Sequence, residues 1–184
     1  DLYALDTNQL DAETDGSLVR LTTLNDPLLA AAEPPRVERV TYENEDGETV
    51  EGIVYLPDDL STPAPMIAAI HGGPMSYDKP TYRFSLHFWT SRGYVVFKPN
   101  YRGSTSYGQA FCEALRGTRG DLETDDVTSG VDELIDRGWV DPDRTFVTGF
   151  SYGGITTAHV LTRTDRFAAG AAEHGIYDFY SNFG

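Results

Sequence analysis

The sequence predicts an α/β fold, a mainly parallel sheet with helices on its faces, preceded by a small β piece. Three observations carry that reading. From Arg36 onward, short apolar runs alternate with amphipathic segments in the order strand, helix, strand, helix, which is the signature of a parallel sheet with crossover helices. Two of the runs, "PMIAAI" at 65–70 and "YVVF" at 94–97, are apolar throughout, as strands covered on both faces are. Before residue 25 the pattern is different: two short runs, "DLYALD" and "SLVRLTT", flank the polar, turn-rich "TNQLDAETDG" and suggest a hairpin that needs neighbours for stability.

The elements follow in order. The segment "NDPLLAAAEPPRVE" is punctuated by Pro27, Pro34 and Pro35 around one short helical turn and reads as a linker over 25–35. "VERVTYEN" and "ETVEGIVYL" flank the turn "EDG" and are expected to pair antiparallel. "PMIAAIHGG" is the first buried strand. "YRFSLHFWTSRG" places Phe84, Phe88 and Trp89 at helical spacing and stops at Gly93, and "YVVFKPNYRG" is a second buried strand running into a loop. In "DLETDDVTSGVDELIDRGW", Val127, Val131, Leu134 and Ile135 form one stripe, and carboxylates fill the first turns, where the helix dipole favours them. "DPDRTFVTG" gives a turn and a strand, Ser151 opens a further helix, and "RFAAGAAEHG" gives one more apolar strand.

Charge narrows the functional classes. Against 29 acidic residues stand 14 basic ones, for a formal net charge of -15. Nucleic acid and anionic membrane surfaces both require a basic face and are excluded as expected partners. Only Lys79 and Lys98 are lysines. A carboxylate-dense surface poor in lysine suits a high-salt cytoplasm, where ions screen self-repulsion, and a halophilic protein is the expectation. No apolar run reaches membrane-spanning length, and the single Cys112 can form no internal disulfide, which favours a reducing compartment, so a cytoplasmic location is expected.

The chemistry-bearing motifs lie at strand ends. Gly149-Phe150-Ser151-Tyr152-Gly153 fits G-x-S-x-G between a predicted strand and a predicted helix. Small residues at 149 and 153 let strand and helix pass closely while the serine hydroxyl projects from the turn. "HGGP" at 71–74 follows the first buried strand, where glycines let backbone N–H groups approach a developing oxyanion. No H-E-x-x-H, thiolate cluster or phosphate-binding glycine loop is present, so neither a metal nor another cofactor is expected. The acidic "DLETDD" reads as a solvated helix start rather than a cation site.

"HGGP", "NYRGSTSYGQAF", "GDLETDDV" and "DPDRTFVTGFSYGG", in this order and spacing, resemble the prolyl oligopeptidase family of serine peptidases. The acylaminoacyl-peptidase and dipeptidyl-aminopeptidase-like branch is the most similar. The resemblance covers about residues 36–184 and implies a partial α/β-hydrolase fold, a serine peptidase activity on short peptides, and a β-propeller of which residues 1–24 would be the closing strands. It also implies Ser151 as the nucleophile and the backbone N–H groups of Gly73 and Tyr152 as oxyanion-hole donors. Asn100, Tyr101 and Arg102 would shape the site. Phe150 stands where a smaller residue is expected.

In an α/β-hydrolase the acid and the histidine follow the serine in the chain. Residues 152–184 accommodate a helix, a strand and a loop, so the resemblance implies that both partners lie beyond Gly184. His71 and His87 precede the serine, and His159 sits two helical turns past it, a packed or surface position. His174 and Asp178 follow the next strand and are the only late pair near that edge. The rival readings are an α/β-hydrolase esterase and a non-catalytic protein that keeps the fold as an interaction surface. An incomplete sheet would expose an edge and leave self-association open.

Overall fold

The computed structural model describes residues 1–5, 18–31, 34–60 and 63–183. They form two compact units, Asp1–Pro34 and Pro35–Gly184. In the first, β1 (Tyr3–Leu5) pairs antiparallel with β2 (Leu18–Arg20), and α1 (Asp26–Ala31) follows. The predicted connector "TNQLDAETDG" lies outside the described residues. Arg20 bonds to both Asp1 and Asp26 and ties the hairpin to the helix start. Leu5, Leu18 and Val19 are exposed, as expected where two strands have no second layer to bury them.

The second unit contains β3 (Arg36–Glu43), β4 (Thr49–Leu56), β5 (Ala64–Ile70), α2 (Phe84–Thr90), β6 (Val95–Asn100), α3 (Gln109–Glu113), α4 (Leu122–Asp136), β7 (Val140–Phe150), α5 (Tyr152–Arg163), β8 (Ala169–Glu173) and α6 (Phe179–Phe183). The strands form one sheet in the order β3-β4-β6-β5-β7-β8. β3, β4 and β6 alternate in direction, whereas β6, β5, β7 and β8 are parallel. This is the predicted mixed α/β architecture with a mainly parallel centre, consistent with part of an α/β-hydrolase fold.

The two faces bury different amounts. On one, Val127, Val131 and Leu134 of α4 and Ile155 and Val160 of α5 pack onto Val50, Val54, Met66, Ala68, Phe97 and Val147. The stripe read from α4 is therefore its core face. On the other, a small cluster of Ile53, Tyr55, Val96 and Leu86 lies under α2. There the helix is placed as predicted, but Leu86 and Thr90 face inward, while Phe84, Phe88 and Trp89 remain exposed. β8 is exposed along its whole length, as the sheet's last strand with only β7 beside it.

Lys98 is a buried charge in the middle of β6. Its ammonium meets Asp78 at 2.8 Å, and the Asn100 side chain clamps the Asp78 backbone through bonds of 2.6 and 2.9 Å. An unpaired ammonium there would be very costly, so the loop after β5 is fixed against β6 by the need to neutralise it.

Candidate active site

β5 and β7 run parallel with Ile70 opposite Gly149, so the segments leaving their C-terminal ends, His71–Gly73 and Phe150–Ser151, lie side by side. Open α/β sheets bind ligands at this edge. Ser151 is exposed between β7 and α5, with φ 59° and ψ −119°. A non-glycine residue at positive φ costs on the order of 1–3 kcal/mol and persists only where its surroundings impose it. Here the Ser151 N–H donates to the Glu173 carbonyl at 2.9 Å, and the Ser151 carbonyl accepts from Gly154 and Ile155 at 2.9 and 3.1 Å. A Cβ on Gly149 would overlap the Gly153 carbonyl, and one on Gly153 would overlap the Ile70 carbonyl. Strand, turn and helix thus meet backbone to backbone, the context that the motif requires.

The glycine loop abuts this turn. A Cβ on Gly72 would lie 2.8 Å from the Phe150 carbonyl and 3.2 Å from the Ser151 Cβ, and Gly73 adopts φ 129°, which favours glycine. The Tyr101 hydroxyl donates to the His71 carbonyl at 2.8 Å, and the two rings stack 4.6 Å apart. His71 Nδ1 lies 2.9 Å from the Gly72 carbonyl, and Nε2 lies 3.0 Å from the Ser104 hydroxyl. Burial lowers the His71 pKa, and both ring nitrogens are engaged, Nδ1 with Gly72 and Nε2 with the Ser104 hydroxyl, which itself donates to the Tyr101 carbonyl at 2.6 Å. This histidine is committed to holding the loop.

The helix start "DLETDD" is the main departure from the sequence reading. It is not solvated: Glu123 and Asp126 are wholly buried. Helical spacing turns these two inward, while Asp121 is exposed and Asp125 is half-buried. Asp126 accepts the Arg102 backbone N–H at 2.6 Å, the Arg102 Nε at 2.9 Å and Asn44 Nδ2 at 2.7 Å. The Arg102 guanidinium also meets Asp46 at 2.6 Å and Asp125 at 2.8 Å. Burial pushes the Asp126 carboxyl up, and its bonds from Arg102 oppose this. Burial likewise opposes charge on Arg102, but Asp126 and Asp46 outweigh it and raise its pKa. With so many charge-assisted bonds we take the pair as ionised. The cation among these carboxylates is Arg102 itself. Among the described residues there is no group of three or more His, Cys, Asp or Glu suited to a metal ion.

Glu123 accepts the Tyr152 hydroxyl at 2.9 Å, and its other oxygen has no partner among the described residues. The spacing of "GDLETDDV" carried a signal for this, since residues 123, 126, 127, 130 and 131 fall on the face that the apolar stripe already marked as buried.

The remaining candidates have partners of their own. His159 lies against Gly120 on the flank of α5. His174, at φ 55°, packs its ring 4.7 Å from that of Phe150, which points outward, so a large residue before the serine is accommodated. Asp178 accepts the Tyr180 N–H at 3.0 Å at the start of α6. No helix among the described residues is long and apolar enough to cross a membrane.

Comparison with known proteins agrees with this geometry. Residues 80–183 match the prolyl oligopeptidase family. The chain is similar over its whole length, at 35% identity, to the peptidase YuxL of Bacillus subtilis (strain 168), of which it covers 27%. Over 65% of its length it is 36% identical to the acylamino-acid-releasing enzyme of Arabidopsis thaliana, covering 16% of that protein. Among solved structures, the acylaminoacyl peptidase of Pyrococcus horikoshii superimposes with a TM-score of 0.82 at 26% identity, over 90% of this chain and 27% of that one. The chain thus spans about a quarter or less of the length of these relatives. On the motifs, the sheet and the matched residues together, this chain belongs to the prolyl oligopeptidase family.

Proposed function

We propose that these residues carry the nucleophile and oxyanion hole of a serine peptidase that acts on short peptides and releases acylaminoacyl or dipeptidyl groups. The observation that carries the reading is Ser151, held exposed at positive φ with the Gly72–Gly73 loop packed against it. In this reading the Ser151 hydroxyl attacks the scissile carbonyl. The tetrahedral oxyanion is held by the N–H groups of Gly73 and Tyr152, where loss of one donor would cost roughly 3 to 4 kcal/mol of barrier. Collapse expels the amine and leaves an ester on Ser151, which water then cleaves.

A histidine base and an aspartate outside residues 1–184 complete the triad. Supporting this, His71 is engaged with Gly72 and Ser104, His159 lies against Gly120, and His174 lies against Phe150. Residues 1–24 are proposed as closing strands of a β-propeller, which would cover the exposed Leu5, Leu18 and Val19.

The test is fluorophosphonate labelling of the full-length protein with and without Ser151→Ala, followed by acyl-aminoacyl and dipeptidyl amide substrates. Labelling confined to Ser151, with peptide amides cleaved, supports the reading. An unlabelled Ser151, or ester hydrolysis without amide hydrolysis, overturns it. The 184-residue chain alone is expected to label far more slowly than the full-length protein.

A further inference from the structure

We infer that Arg119 is a receptor for a carboxylate carried by the substrate close to the scissile bond, a proposal that rests on the peptidase reading of Ser151. A groove of about 690 Å³ opens beside the glycine loop, lined by Gly73, Met75, Cys112, Leu115, Arg116 and Arg119. One wall therefore contains a proposed oxyanion donor, so a group attached at the scissile carbonyl can enter the groove. Glu113 also lines it, but Arg116 faces that carboxylate at 3.5 Å, which leaves Arg119 as the uncompensated charge.

Arg119 forms no ion pair among the described residues. It shares this with Arg83 and Arg92, whereas Arg102, Arg137, Arg144, Arg163 and Arg166 each meet a carboxylate, but of the three only Arg119 lines the groove beside Gly73. Its guanidinium carbon instead lies over two rings, 5.7 Å from the Tyr152 centroid and 5.4 Å from that of Phe179, within cation–π reach. These ring contacts use none of its N–H groups, which meet no carboxylate among the described residues and can bind one through paired hydrogen bonds. Tyr152, in turn, is fixed from the core by Glu123. The rigid partner holds the cation beside the residue that follows the nucleophile.

The net charge of -15 makes a local cation consequential. The protein's overall field repels anionic substrates, so one that is accepted needs a fixed positive group at the point of contact. Two sources offer the same chemistry: an acidic side chain next to the scissile bond, or the free C-terminal carboxylate of a short leaving group.

The experiment uses the full-length enzyme, wild type, Arg119→Met and Arg119→Lys. One substrate series compares N-acetyl-Asp with N-acetyl-Asn p-nitroanilide; the other compares acetyl-Ala-Ala with its C-terminal amide. The wild type is expected to prefer the carboxylate over the amide in one series by about tenfold in kcat/KM, the scale of a charge-assisted hydrogen bond. Arg119→Met should bring that ratio to about one, with Arg119→Lys in between. The series that shows the effect identifies the source. Ratios unchanged by Arg119→Met in both series overturn the proposal while leaving the peptidase reading intact. If neither series is hydrolysed, the peptidase reading still stands or falls on Ser151 labelling and dipeptidyl amides, and calorimetric binding of N-acetyl-aspartate decides the groove: binding to the wild type lost in Arg119→Met supports it, and equal or no binding overturns it.

Discussion

The Tyr152 hydroxyl donates to Glu123 at 2.9 Å inside the core, one residue past the serine turn. The Tyr152 ring lies parallel to that of Tyr101 at 6.4 Å, and Tyr101 in turn bonds to the His71 carbonyl. One buried line therefore joins the start of α4 to both turns of the site. Burial, then the Glu123 charge, raises the Tyr152 pKa, so the phenol stays a donor throughout the working pH range.

Tyr152→Phe is expected to destabilise the protein by about 1–3 kcal/mol, because it strands a buried carboxylate. Glu123→Gln keeps an acceptor and removes a buried charge, and should cost less. In urea unfolding the double variant should be less destabilised than the sum of the two singles, since the partners touch. Strict additivity would show that the bond is not formed.

Arg102→Met should cost about 3–5 kcal/mol, leaving Asp126 buried without its cation. Arg116→Met, which disturbs only an exposed pair, should hardly move the urea midpoint. Equal effects would contradict the burial of the Arg102 network.

Ser151→Gly should be more stable than Ser151→Ala by up to about 1 kcal/mol, since glycine alone relaxes at positive φ. Thermal unfolding of the two variants checks this, and both should lose fluorophosphonate labelling.

The His71 pKa is lowered below 6.5 by burial, so the unfolded chain binds that proton more readily than the native state. Its contribution to stability is complete above pH 6.5 and is lost as pH falls toward the folded pKa, by no more than about 1.4 kcal/mol per pH unit. The drop in urea midpoint between pH 7.5 and 5.5 should therefore shrink in His71→Asn. An unchanged drop would show that this ring does not carry the effect.

With a net charge of -15, the melting temperature should rise from low salt to molar KCl as self-repulsion is screened. A flat response would remove the case for a halophilic protein.

Much of the fold was legible because its signals are local. The apolar runs of β5 and β6, the hairpin turn at Glu45–Gly47, the α4 stripe and the strand-to-helix placement of Ser151 all depend on residues close in sequence. The glycines at 72, 73, 149 and 153 likewise announced close backbone contacts that the structure contains. The partners of charged residues were not legible. "DLETDD" has the composition of a solvated helix start, and nothing in it reveals that Arg102 and Tyr152 arrive from distant segments to receive Asp126 and Glu123. The same holds for Phe84, Phe88 and Trp89, whose spacing looks like a core stripe although α2 turns Leu86 and Thr90 inward.

The sequence by itself determined the order of elements, the turn that presents Ser151 and the acidic charge balance, since periodicity, glycine placement and composition are properties of neighbouring residues. Only the tertiary structure decided which charges are buried, which arginine beside the glycine loop is left without a carboxylate and which histidines are already engaged. A charge tolerates burial only beside a partner, and the partners here come from elements far apart in the chain.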